Sequence, residues 1–317
     1  MDWADRIGRR IRLRDLHVVL AVAERGSMAK AATHLSISHP VISKTISDLE
    51  RALGVRLFDR NAQGVELTAY GQALLKCGVT VFDEMRQGLK QIELLVDPEA
   101  GELRIGSPEI TMAGLLPPIV ERFSGQYPRV RMHILLALSG MQQFQVLRER
   151  NVDLVIARMP QPFAEDDLEA EILFDEPFQA VVGAASVWTR RRQVELANLL
   201  PEPWVLPPYD SGPGILIGQI FAAAGLHPPQ PSIATMSAQL TVSLIASGRF
   251  VGILPRSVAQ FNAGPGRLKI LPVKLPPSRL GAGIIKVKNR TLSPLAELFI
   301  KSARDVAGLQ TKSRERR

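Results

Sequence analysis

Gly26-Ser27-Met28-Ala29-Lys30-Ala31-Ala32-Thr33-His34-Leu35-Ser36-Ile37-Ser38-His39-Pro40-Val41-Ile42-Ser43-Lys44-Thr45-Ile46-Ser47-Asp48-Leu49-Glu50 carries two helix-start signals, Ser27 and Ser38, each followed by apolar residues at helical spacing. Met28, Ala31, Ala32 and Leu35 form one inner face, and the small alanines allow close helix approach. Ile42, Ile46, Leu49 and Leu53 form the next, with Pro40 in the first turn and Gly54 as the stop. Leu13, Leu16, Val19, Leu20 and Ala23 predict a preceding helix that ends at Arg25-Gly26. Two short helices joined by a tight turn are the layout of a helix-turn-helix, whose second helix enters the DNA major groove. Ser38, His39, Pro40, Ser43, Lys44 and Ser47 lie at or near the start of that second helix, away from its apolar stripe. Their polar members suit base edges and phosphates. A solvated helix face is the plain alternative.

Moving outward, Val55–Arg60 and Val65–Thr68 flank Asn61-Ala62-Gln63-Gly64, a hairpin pattern that reads as a wing. Arg56 and Arg60 are its candidate phosphate contacts. The ordered series Gly26-Ser27, Ala31-Ala32, Leu35, Ser38-x-Pro40-x-x-Ser43-x-x-Ile46-x-x-Leu49-Glu50-x-x-Leu53-Gly54-x-x-Leu57-Phe58-x-Arg60, Leu67-Thr68-x-x-Gly71 resembles the DNA-binding domain of the LysR-type transcriptional regulators. The match covers about 60 continuous residues with the spacing kept. It departs at His39, where the family usually carries Gln; an imidazole makes one directional contact in place of a bidentate one, which puts the base preference there in doubt.

The chain has 317 residues, 46% hydrophobic and 22% charged, values that exclude bulk disorder and predict two or three domains. Net charge is +8, and it gathers at the ends: residues 1–60 hold 11 Lys and Arg against 7 Asp and Glu, and residues 301–317 hold 6 against 2. Such a balance favours a polyanionic partner without naming one. The arginines at 6, 9, 10, 12 and 14 directly precede the helix-turn-helix, whereas Lys312, Arg314, Arg316 and Arg317 read as a solvated tail. The N-terminus lacks the apolar core of a secretory signal, and no apolar run reaches 18 residues, so a cytoplasmic protein with no membrane association is expected. The lone Cys77 reads as a structural thiol.

Thr68 can cap a long helix to about Val96, roughly 40 Å at 1.5 Å per residue. Leu75, Phe82, Leu89 and Val96 recur every seven residues with Met85 and Ile92 between them, a dimerising coiled-coil signal that Gly78 interrupts; packing on the helix's own domain is the alternative. Asp97-Pro98-Glu99-Ala100-Gly101 breaks the helix. Strand patterns at 103–106, 130–138, 153–157, 178–183, 204–206 and 250–254 then alternate with helices at 112–123, 141–150, 215–224 and 237–246, implying mostly parallel sheets with ligands at strand C-terminal ends. Gly101–Gly106, Leu115-Leu116-Pro117, Asp153–Ala157 and Ile245–Pro255 resemble the family's effector-binding region.

The expected fold class is therefore α+β and multidomain: an N-terminal winged helix-turn-helix, a long linker helix and a C-terminal α/β effector domain of the periplasmic-binding-protein type with two subdomains. The expected boundaries are 1–67 for the DNA-binding domain, 68–96 for the linker helix, 97–102 for a hinge, 103–308 for the effector domain and 309–317 for the basic tail. Subdomain I takes about 103–175 and 264–308, and subdomain II about 176–263.

Catalysis has no visible seat. The five histidines are scattered, no H-E-x-x-H, C-x-x-C or G-x-S-x-G occurs, and no metal or cofactor is expected. Ser107 and Ser139 end strands before helices, Thr235 begins a helix facing back across the cleft, and Arg158 offers a guanidinium to a carboxylate. These are the candidate effector contacts; helix capping, or an Arg158 pair with Asp153 or Glu176, is the plain alternative. The reading is a sequence-specific transcriptional regulator, not an enzyme, on double-stranded DNA with a pseudo-palindromic operator, modulated by a small-molecule effector such as a carboxylate. The resemblance implies a homodimer or homotetramer, with RNA polymerase as a further partner. The rival is a cytosolic solute-binding protein or enzyme on the same scaffold.

Overall fold

A computed structural model describes residues 11–61, 64–97, 100–137, 142–277 and 280–315. The chain divides into two compact units, one ending at Gly88 and one beginning at Leu89.

In the first unit, α1 (Leu13–Arg25), α2 (Met28–His34) and α3 (His39–Leu53) pack around Val19, Val22, Ala31, Ile42, Ile46 and Leu49. Ser27 caps α2 by accepting the Lys30 N–H, and Gly26 and Gly54 end α1 and α3 in the left-handed region. The wing pairs β1 (Phe58–Asn61) antiparallel with β2 (Gly64–Leu67). It is anchored at both ends, since Gly26 O accepts the Val65 N–H at 3.2 Å while Glu50 Oε1 accepts the N–H groups of Leu57 at 2.8 Å and Phe58 at 3.3 Å. Thr68 caps α4 (Ala69–Val96): its Oγ1 accepts the Gly71 N–H at 3.1 Å and donates to Arg56 O at 2.7 Å. A Cβ on Gly71 would lie 2.1 Å from Leu57 O, so only glycine lets α4 start this close to the wing.

Two expectations are corrected in this unit. The buried face of α1 is Leu16, Val18, Val19, Ala21 and Val22, with Leu13 exposed, because α1 is covered by α2 and α3 on one side and by α4 on another. Gly78 is buried against α1, where a Cβ would come within 2.7 Å of Leu20 Cδ1, and Phe82 meets the His17 ring at 5.7 Å. Only the later seam residues Met85, Leu89, Ile92 and Val96 are exposed, from 46% to 82%.

The second unit holds two five-stranded sheets. The first has the order β4 (Arg129–Leu136), β3 (Ala100–Ser107), β5 (Leu154–Pro160), β12 (Leu280–Val287), β6 (Leu168–Asp175). It is covered by α5 (Glu109–Met112), α6 (Leu116–Gln126), α7 (Gln142–Arg148) and α11 (Pro294–Glu315), with Phe123 between Tyr127 and Phe299 in its core. The second has the order β11 (Leu268–Ile270), β7 (Phe178–Gly183), β10 (Val251–Pro255), β8 (Trp204–Leu206), β9 (Ile233–Ala234). It packs with α8 (Gly212–Ala223), α9 (Ala238–Ala246) and α10 (Arg256–Phe261), its core centred on Trp204 against Phe221. Asp153 ties the start of this unit down by accepting from Lys90 Nζ at 2.9 Å and Arg104 N at 2.9 Å.

The sheets are mixed where mostly parallel ones were expected, because β12 runs antiparallel to β5 and β6, and β7 antiparallel to β10 and β11. Neither β6 nor β12 was anticipated. β12 carries Gly281 and Gly283, poor strand formers, yet a Cβ on Gly283 would lie 2.0 Å from Glu171 O, so the β6 approach requires glycine. The expected helix 112–123 is two helices, parted at Gly114, where the Val258 backbone comes within 2.5 Å of a would-be Cβ. The second sheet extends through Ile270, past the expected return to subdomain I at 264. β3 starts at Ala100, inside the expected hinge, and α11 continues to Glu315 where a tail was expected.

Candidate nucleic-acid interface and ligand cavity

The face of α3 opposite Ile42, Ile46 and Leu49 is polar. His39, Pro40 and Lys44 are exposed, with Ser43 and Ser47 half-buried beside them. Ser38 holds the N-cap position, and its side chain makes no capping hydrogen bond, so the hydroxyl at the tip of the helix is unspent. Asp48 pairs with Arg51 at 3.0 Å, which draws that carboxylate along the helix away from the N-terminal turns. Arg56 is exposed at the base of the wing. For Arg60 only the backbone is described, paired with Val65; the arginines at 6, 9 and 10 lie outside the described residues, as do those at 316 and 317. The arrangement presents donors, a cation and a helix N-terminus together, the groups that DNA phosphates and base edges require.

In the second unit a cavity of about 340 Å³ lies where the C-terminal ends of strands from both sheets face helices of the other. Glu109, Ile110, Leu136, Arg158, Phe178, Val205, Ile217, Thr235, Met236 and Ile253 line it. Arg158 lies in the C-terminal half of β5, and its guanidinium lies 4.4 Å from the centre of the Phe178 ring. Its Nε and Nη2 are shut off from solvent with no hydrogen-bond partner among the described residues. Burial brings its pKa down to about 10 against the opposing pull of Glu176, a cost on the order of 3 kcal/mol for holding the cation there. Burial likewise raises the Glu176 carboxyl, whose Oε1 accepts the Ser257 N–H at 2.8 Å. Across the cavity Glu109 Oε1 accepts from Ser237 Oγ at 3.1 Å, Ala238 N at 2.9 Å and Gln239 N at 3.4 Å, capping α9 from the other sheet's side.

Of the expected effector contacts, Arg158 and Thr235 line this cavity. Thr235 precedes α9 by three residues rather than beginning it, and its Oγ1 accepts the Ser237 N–H at 3.1 Å. Ser107 is fully buried and donates to Ile156 O at 2.9 Å, a bond that ties β3 to β5 and keeps its hydroxyl from the cavity. Ser139 lies outside the described residues. Sequence reasoning missed Glu109 and Phe178. Glu109 has the ordinary form of an acid in a helix's first turn, and its partners stand 128 to 130 residues later. No helix among the described residues is long and apolar enough to cross a membrane, and no group of three or more His, Cys, Asp or Glu there is placed to hold a metal ion.

A winged helix-turn-helix joined through a long helix to a two-sheet ligand-binding module defines a ligand-responsive DNA-binding protein. Comparison with known proteins gives the family. Residues 13–72 match the bacterial regulatory helix-turn-helix protein, lysR family, and residues 97–308 match the LysR substrate binding domain. The chain is 30% identical to the transcriptional dual regulator GltC of Bacillus subtilis, over 90% of this chain and 94% of that one. Full-length OxyR from Pseudomonas aeruginosa, as a single-residue variant, shares the fold with a TM-score of 0.65 at 23% identity, covering 92% of this chain and 97% of its own. Full-length CbnR in complex with its target DNA aligns with a TM-score of 0.52 at 22% identity over 94% and 100%. The chain belongs to the LysR family of DNA-binding transcriptional regulators, with an effector-binding domain following its helix-turn-helix.

Proposed function

We propose that this regulator acts in the cytoplasm as a homodimer or homotetramer, reading a pseudo-palindromic operator with Ser38, His39, Pro40, Ser43, Lys44 and Ser47, while Arg56 and Arg60 hold the phosphate backbone. Its α4 seam pairs protomers and so sets the spacing of two recognition helices. A small-molecule effector bound between the two sheets, in contact with Arg158 and Thr235, shifts their relative geometry and thereby the presentation of the DNA to RNA polymerase. The protein acts by binding and carries out no chemistry, in keeping with relatives named as transcriptional regulators. The observation that carries the reading is the exposed polar face of α3 over a fully buried Ile42, Ile46 and Leu49, with the wing anchored beside it.

The test is binding of the full chain to the DNA flanking its own gene, titrated with salt. Specific protection of a pseudo-palindrome with affinity falling steeply as salt rises is expected. Ser43→Ala with Lys44→Ala should weaken specific binding at least about tenfold while circular dichroism and oligomeric state stay unchanged. Unchanged affinity in that variant removes α3 as the reading helix.

A further inference from the structure

We propose that the cavity of about 340 Å³ selects an organic monocarboxylate with an apolar body, its acid group on Arg158 and its body along Ile110, Phe178 and Ile217. The inference rests on the reading of this cavity as the effector site and adds the ligand's chemical class.

Two charged side chains on the cavity wall are in opposite situations. A helix N-terminus at a cleft between sheets is where an anion from solution would dock. Here the chain's own Glu109 fills that position on α9, accepting from Ser237 Oγ, Ala238 N and Gln239 N. A second anion arriving there meets spent donors and a like charge. Arg158 has the reverse character, since its Nε and Nη2 are buried without partners among the described residues while the guanidinium stacks on Phe178. The carboxylate whose field reaches it, Glu176, is engaged by the Ser257 N–H at 2.8 Å. The desolvation that usually opposes a buried ion pair has already been met by the folded chain for the cation, so a fork-shaped partner gains most of its hydrogen-bond energy.

The remaining wall, including Leu136, Val205 and Ile253, is mostly apolar, with the neutral hydroxyls of Thr235 and Thr241 as its polar members, and calls for a carbon skeleton. A neutral sugar or amide can accept a hydrogen bond from the guanidinium but leaves its charge without a counter-ion. A dicarboxylate must set its second charge against Glu109, against hydrocarbon, or on the neutral hydroxyls of Thr235 and Thr241, which already bond to Ser237 and supply no counter-charge. A small inorganic anion leaves the apolar wall wet.

The experiment uses the full-length protein with matched probes at constant ionic strength: 3-phenylpropanoate against 3-phenylpropanamide, hexanoate against hexanamide, and adipate as the dicarboxylate. Thermal unfolding and calorimetric titration should show the monocarboxylates raising Tm by several degrees, the amides bound at least about tenfold more weakly, and adipate weaker than hexanoate. Arg158→Gln should abolish the preference for acid over amide. Arg158→Lys keeps the charge without the fork and should fall between; it carries the test if the glutamine variant does not fold. Glu109→Gln keeps an acceptor for α9 and removes the like charge, so it should bring adipate up towards hexanoate.

Equal binding of acids and amides, tighter binding of adipate than hexanoate, no saturable binding by either monocarboxylate, or an acid preference that survives Arg158→Gln each overturns the assignment. The effector reading is tested apart from this by operator affinity. A neutral compound that fills the cavity and changes DNA binding overturns the ligand class and leaves the effector site standing. A monocarboxylate bound on Arg158 that leaves operator affinity unchanged does the opposite.

Discussion

Glu50 Oε1 accepts the N–H groups of both Leu57 and Phe58, the two residues that carry the chain from α3 into the wing. Glu50→Ala leaves two half-buried donors unanswered and should cost about 1–3 kcal/mol in denaturant unfolding, whereas Glu50→Gln keeps an acceptor and should cost less. Equal losses in the two variants would assign the effect to something other than those hydrogen bonds. The same residue shows a limit of reading a helix face from sequence. On α3 it sits among polar positions, yet it serves the fold while Ser43 and Lys44 remain turned outward. The outward group was legible because helical period alone separates it from Ile42, Ile46 and Leu49. Ser107 was misjudged for the converse reason: a serine at a strand end can face a cleft or a neighbouring strand, and only the presence of Ile156 O beside it decides which.

At the scale of elements, the heptad in α4 was visible but its covering was not. Gly78 and Phe82 belong to the part that lies against α1, where Gly78 admits Leu20 and His17 meets Phe82. Leu89 and Ile92, at 59% and 58% exposure, belong to the uncovered part, the stretch proposed above as the seam between protomers. Leu89→Glu with Ile92→Glu should therefore shift the sedimenting species to a lower mass while changing monomer stability by no more than about 0.5 kcal/mol. An oligomer of unchanged mass would exclude this stretch as the seam. A repeat of seven states that one stripe is apolar; it does not say whether the partner is the helix's own domain or another chain.

Across the effector-binding unit, the C-terminal helix is pinned to the sheet by Arg304, whose Nε and Nη2 donate to the Glu171 carboxylate at 2.6 and 2.7 Å. That bond holds the Glu171 carboxyl below the ordinary range. A folded-state pKa below the unfolded one means that the pair stabilises at neutral pH and that this contribution is lost as pH falls through the folded value. Because both side chains are more than a third exposed, the contribution is under about 1 kcal/mol. Glu171→Gln should lower unfolding free energy by that amount at pH 7, with the gap closing in acid and shrinking in high salt. A gap that persists unchanged into acid would mean that the substitution acts through packing.

The sequence by itself determined the helix-turn-helix, the capped linker helix and the alternating α/β architecture. Each is written in short-range terms: an N-cap, a period of 3.6, a strand followed by a helix. Tertiary structure alone decided the antiparallel places of β7 and β12, the burial of Gly78, and the character of the cavity, in which Glu109 serves α9 while Arg158 Nε and Nη2 have no partner among the described residues. Those outcomes depend on groups that the chain brings together from separate elements, 129 residues apart for Glu109 and Ala238, and a local pattern holds no record of which distant backbone atom will arrive beside a side chain.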